Sequence, residues 1–116
     1  MTQVDKRFGE ACDQLYRLGV TANYKGCRYT AYAIALCAKE PDMLMLVTKN
    51  LYPEVARQYC TTWQAVERNI RTVIGVAWKR NPVLLGEMAG SLLWTKPCSA
   101  QFLAIVSGDL RRSRAG

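Results

Sequence analysis

The chain has 116 residues, half of them hydrophobic, which is enough for one small core and too apolar for a disordered polymer. Its formal charge of +7 and pI near 9.4 favour an acidic partner: nucleic acid, an anionic membrane or an acidic protein. There is no His, and none of the five cysteines (Cys12, Cys27, Cys37, Cys60 and Cys98) forms a C-x-x-C pair. The sequence therefore offers no zinc-binding spacing, no Gly-rich phosphate loop and no paired carboxylates, so no metal, cofactor or enzymatic activity is expected. The cysteines read as small buried hydrophobes in a reducing cytosol. The first nine residues lack the apolar core of a secretory signal, and the longest apolar stretch, 31–38, has eight residues where a membrane span needs about 20. A cytoplasmic protein without membrane contact is expected.

Apolar residues recur at helical spacing almost throughout. Val4, Phe8, Cys12, Leu15 and Tyr16 predict a helix over about 3–18, stopped by Gly19. After a connector at 20–24, a second helix over 26–39 turns Cys27, Ala31, Ile34, Ala35 and Ala38 inward and ends before Pro41. Leu44, Leu46 and Val47 mark a short helical piece at 43–48. The next helix, 51–59, must begin near Leu51, because Pro53 fits only in a first turn. Thr61 reads as an N-cap, and Gln64 three residues on completes a capping-box pattern. The helix that follows, over about 62–80, carries Val66, Ile70, Val73, Ile74, Ala77 and Trp78 on its inner side and closes at Asn81-Pro82. A short helix at 83–90, a turn at 94–97 and a last helix at 99–112, with Phe102, Leu103, Val106 and Leu110 inward, complete the chain. The expected fold is all-α: a compact bundle of about six helices in a single domain, core about 3–112.

Within that bundle, residues 51–74 have the make-up of a helix-turn-helix. Two helices crossing steeply need a small residue where the first packs and bulky apolar ones on the second. Ala56 is the small residue, Val66 stands ten positions later, and Val55, Tyr59 and Ile70 fill the contact. At 100° per residue, Gln64, Arg68, Arg71 and Thr72 point away from the Val66–Ile70 stripe and Glu67 lies on the flank. A guanidinium can take O6 and N7 of guanine together, and a carboxylate can accept from N4 of cytosine, so this face suits adjacent G·C pairs of double-stranded DNA. Trp78 sits at a core offset. Trp63 is expected to pack over the turn, and the Arg111, Arg112, Arg114 end to fray into solvent.

The run Leu51-Tyr52-Pro53-Glu54-Val55-Ala56, then Thr61-Thr62, Val66-Glu67-Arg68-Asn69-Ile70-Arg71 and Ala77-Trp78, resembles the DNA-binding effector domain of sporulation initiation response regulators. Leu18-Gly19-Val20 with Lys25-Gly26, and Thr95-Lys96-Pro97 with Gln101-Phe102-Leu103-Ala104, extend the likeness over about 15–110. The resemblance implies a six-helix domain that binds a short G·C-containing box, usually as a tandem head-to-tail dimer, and that touches the sigma subunit of RNA polymerase through its fifth-helix region. By matching positions, Glu67, Arg68 and Arg71 would read bases, while Lys49, Thr61, Thr62, Gln64 and Thr72 would hold the DNA backbone. The chain departs from the pattern at Ala65, where the family usually has a basic residue, at Thr72 and Gly75, and across 82–91. No counterpart of a phosphorylatable receiver domain is found in these residues. Sequence-specific DNA binding thus stands beside a second reading, a helical protein-interaction module that keeps the fold without reading DNA. The basic outer face at 64–72 favours the first.

Overall fold

Helical periodicity dictates the architecture. The computed structural model describes residues 3–21 and 24–115, with side chains at 6–21 and 24–113, and contains no strand among them. Its helices are α1 (Gln3–Arg17), α2 (Lys25–Lys39), α3 (Tyr52–Gln58), α4 (Trp63–Arg80), α5 (Pro82–Ala89) and α6 (Ser99–Ala115). Between α2 and α3 the chain makes a 3-10 helix, Pro41–Leu46, followed by one turn of π-helix, Val47–Leu51. The expected 43–48 piece is therefore longer and of two kinds: Pro41 opens the 3-10 segment from its first positions, and the wider turn then carries the chain into α3. The radius of gyration, 12.8 Å, is that of a closely packed chain of this length.

The centre of the bundle is α2, which packs on α1, α4 and α6. Its buried residues are mostly small: Gly26, Cys27, Thr30, Ala31, Ala33, Ala35, Cys37 and Ala38. Small side chains let neighbouring backbones approach, and the closest approach is at Gly26. A Cβ there would stand 2.5 Å from the Asn69 carbonyl oxygen and 3.0 Å from Val73 Cγ2. The inner stripe of α4, namely Val66, Ile70, Val73, Ile74 and Ala77, is buried against this surface. Phe102, Leu103, Val106 and Leu110 of α6 close the core from another side.

Polar clasps fix the helix ends. α1 stops in a Schellman turn: Gly19 takes φ of 95°, and the Val20 N–H donates to the Leu15 carbonyl at 2.9 Å. Arg80, at the end of α4, donates to the Gly19 carbonyl at 2.8 Å and lies over the Tyr24 ring. Asn81 donates to the Arg17 carbonyl at 3.0 Å while its Oδ1 caps α5 by accepting from the Leu84 N–H. Gln14 ties α1 to α6 through the Val106 carbonyl and the Asp109 carboxylate.

Some expectations need correcting. Only Cys27 and Cys37 are buried; Cys12 is half-buried, Cys60 and Cys98 are exposed, and all five are free thiols. Burial pushes the Cys37 thiol up to about 12, against a smaller opposing effect of Arg111. Trp78 is half-buried rather than part of the closed core. The C-terminal end is not frayed at Arg111 and Arg112: α6 continues to Ala115, and these side chains donate to the Cys37 and Met88 carbonyls. The Arg114 side chain lies outside the described residues. Among the described residues no helix is long and apolar enough to cross a membrane, and no three His, Cys, Asp or Glu cluster in a way that could hold a metal ion.

Two glycines should respond oppositely to alanine. Gly26→Ala forces α2 and α4 apart and should cost about 1–3 kcal/mol. Gly75, within α4, has nothing within 4 Å of its would-be Cβ, so Gly75→Ala should add about 1 kcal/mol through helix propensity. Urea midpoints at unchanged m-value check both; a neutral Gly26→Ala would mean the helices are not in backbone contact.

Candidate nucleic-acid interface

The interface begins with a chain reversal. α3 starts with Pro53 in its first turn, where a missing N–H costs nothing, and ends at Gln58. Cys60 then adopts φ of 53°, the one described non-glycine residue with positive φ. The Thr61 N–H donates to the Ala56 carbonyl at 2.9 Å and the Cys60 N–H to the Arg57 carbonyl at 3.4 Å. This is the same Schellman closure that ends α1, with cysteine in the place that usually takes glycine. Tyr59 pins the reversal to α2: its ring lies 5.2 Å from that of Tyr29 and meets Tyr32 edge-on at 5.9 Å, and its hydroxyl donates to the Arg28 carbonyl.

α4 opens one residue later than expected, just past the Thr61 N–H that closes the turn. The N-cap is Thr62, in extended backbone, whose hydroxyl accepts from the Ala65 N–H at 3.2 Å. The capping box of Thr61 and Gln64 is not formed. Three residues after the actual cap stands Ala65, which has no side chain to complete one. Trp63, expected to pack over the turn, is instead exposed, at 37%.

Behind the turn, Leu51, Tyr52, Val55 and Ala56 are buried, as are Val66 and Ile70 on α4. Tyr52 lies at the junction of three helices. Its pKa is raised by burial, against the hydrogen bond of its side chain with Ser99, with smaller opposing effects of Glu67 and Arg71. The outer face is as expected: Gln64, Arg68, Arg71 and Thr72 are exposed and Glu67 is half-buried on the flank. Arg71 donates to the Glu67 carboxylate at 2.9 Å, one turn back along the helix. Arg68 forms no ion pair with a described carboxylate. Thr72 turns its hydroxyl back onto the Arg68 carbonyl at 3.2 Å. Thr61, Thr62, Gln64, Glu67, Arg68, Arg71 and Thr72 thus follow one another along the turn and the first half of α4; Lys49 stands apart, exposed on the π turn before α3.

Two features escaped the sequence. Cys60 gives no glycine signal for a left-handed turn. An open cleft of about 370 Å³ brings Lys96, Pro97, Cys98 and Ser99 beside Arg71 and Ile74, a meeting of residues distant in the chain that only the Lys-Pro pair before a helix start hinted at.

Two helices locked by a left-handed turn, the second presenting guanidinium groups opposite its buried stripe, define a helix-turn-helix protein of the kind that binds DNA. Residues 11–110 match the family model described as the sporulation initiation factor Spo0A C terminal, and the chain belongs to that family. The family is the DNA-binding effector domain of a transcription regulator, as the resemblance implied.

The strain at Cys60 is testable. A non-glycine residue in the left-handed region costs about 1–2 kcal/mol, partly offset in a glycine variant by unfolded-chain entropy. Cys60→Gly should therefore raise stability by about 0.5–1 kcal/mol in urea denaturation; a destabilised variant would show that the turn is not closed in this way.

Proposed function

We propose that the chain is one DNA-binding effector domain that acts in the cytoplasm and recognises a specific sequence of double-stranded DNA through α4 in the major groove. The observation that carries this reading is the exposed, unpaired Arg68, placed opposite the buried Val66–Ile70 stripe one turn into a helix whose N-terminus is fixed by Thr62. A helix-turn-helix reads bases from just this early part of its second helix.

In this reading Arg68 takes O6 and N7 of a guanine, and Glu67 accepts from N4 of a neighbouring cytosine. Arg71 holds the Glu67 carboxylate in place and faces the groove edge. Thr61, Thr62, Gln64 and Thr72 line the approach of the sugar-phosphate backbone, and Lys49 adds a cation near the start of α3. Two copies bind as a head-to-tail tandem dimer. The region of α5, where Val83 and Leu92 are 71% and 70% exposed, supplies the apolar surface for contact with the sigma subunit of RNA polymerase.

Selection of sites from random duplex DNA supplies the sequence to test. Arg68→Ala should then lose about 1–3 kcal/mol of discrimination at one G·C position and leave the other positions alone. The measurement is a set of affinities for the selected duplex and its single-base variants. If wild-type protein holds selected and scrambled duplexes equally through a salt titration, base reading is wrong and a protein-interaction module replaces it.

A further inference from the structure

We propose that the cleft between α4 and the start of α6 is a seat for one phosphate of the DNA backbone, with Lys96 and Arg71 as its cations. The inference rests on the reading of α4 as the groove helix and extends the interface to a segment about 25 residues further along the chain.

The cleft has the chemistry of an anion site. Of its six lining residues, two are cationic, none is acidic, and Ile74 and Pro97 form an apolar floor. Lys96 is exposed and forms no ion pair with a described carboxylate. Arg71 gives one nitrogen to Glu67, and a guanidinium has five N–H donors. The walls are rigid. Pro97 is buried and restricts the backbone. The Cys98 carbonyl accepts the Phe102 N–H at 2.8 Å, so the first turn of α6 is formed at the rim. Ser99 lies close enough to the buried Tyr52 hydroxyl of α3 to oppose the rise of its pKa. The positive end of the 17-residue α6 adds to a field that the two side chains already create.

Position agrees with charge. Arg71 follows Arg68 by three residues, about 4.5 Å along the helix axis, so a duplex engaged by Arg68 brings a strand bordering the groove past Arg71. The first turn of α4, from Trp63 to Val66, carries no cation. The backbone contacts of that turn are thus neutral, and Lys96 is the cation from another element that shares a cleft with α4.

The test uses the whole chain and a duplex obtained by site selection, with affinities measured from 50 to 200 mM KCl. One phosphate contact contributes about 0.9 to the slope of log K against log salt, and about 5-fold in affinity near 0.15 M. Lys96→Ala should flatten the slope by that amount and weaken matched and scrambled duplexes alike; Lys96→Arg should restore both. In a Cys60→Ser background, the duplex should also slow alkylation of Cys98, the exposed thiol in the cleft, more than inorganic phosphate does at equal ionic strength. If wild type binds and Lys96→Ala leaves the slope unchanged, the phosphate seat is wrong and base reading by α4 survives. If inorganic phosphate shields Cys98 and the duplex does not, the cleft serves a free anion and the proposal falls. A slope that responds to Lys96→Ala without any preference for matched duplex would keep the seat and sink base reading.

Discussion

The hydrogen bond from the Thr61 N–H to the Ala56 carbonyl is the constraint on which the interface depends. Without it, nothing in the composition of 51–74 prevents the apolar periodicities of α3 and α4 from running on as one rod. Closing the bond requires a left-handed residue at 60, and the chain accepts the strain of a cysteine there. The closure ends α3 and turns the chain so that α4 starts from its cap at Thr62, while the apolar stripe of α4 sets which side faces the core.

The back of α4 is held as firmly as its start. Gly26 lets the α2 backbone reach the Asn69 carbonyl, so at this point the helix rests on backbone as well as on its apolar side chains. At its far end Arg80 and Asn81 grip the α1–α2 connection through the Gly19 and Arg17 carbonyls. Three helices and a connector thus define the axis of α4. A reading helix gains specificity from being fixed before it meets DNA, because base contacts tolerate little misplacement and ordering on binding would cost affinity.

Much of this was legible in the sequence because α-helical bundles announce themselves by periodicity. Ala56 and Val66, the inward residues of α6 and the exposure of Gln64, Arg68, Arg71 and Thr72 all follow from spacing alone. What was not legible depends on backbone conformation or on contacts between distant segments. Cys60 carries no left-handed signature, and the neighbouring Thr61 and Thr62 are equal cap candidates until the turn fixes where the helix starts. The π turn at Val47–Leu51 has no compositional mark. Lys96 reads as a loop cation until the fold sets it beside Arg71. The cysteines misled in another way: residue type predicts average burial, and Cys60 and Cys98 are placed by turns rather than by the core.

The Glu67–Arg71 pair sets Arg71 apart from Arg68 on the same face of α4. Both side chains are partly exposed, and such a pair one helical turn apart stabilises by only about 0.3–0.5 kcal/mol. A charge-assisted hydrogen bond to phosphate or a bidentate base contact is worth about 1–3 kcal/mol, so a duplex can recruit either group at little cost. The consequence is an asymmetry along α4: Arg68 is exposed without an ion pair to a described carboxylate, whereas Arg71 is bound to Glu67 and shares a cleft with Lys96. A pre-paired guanidinium at the edge of a basic cleft suits an anchor, and an unpaired one at the crest suits a reader.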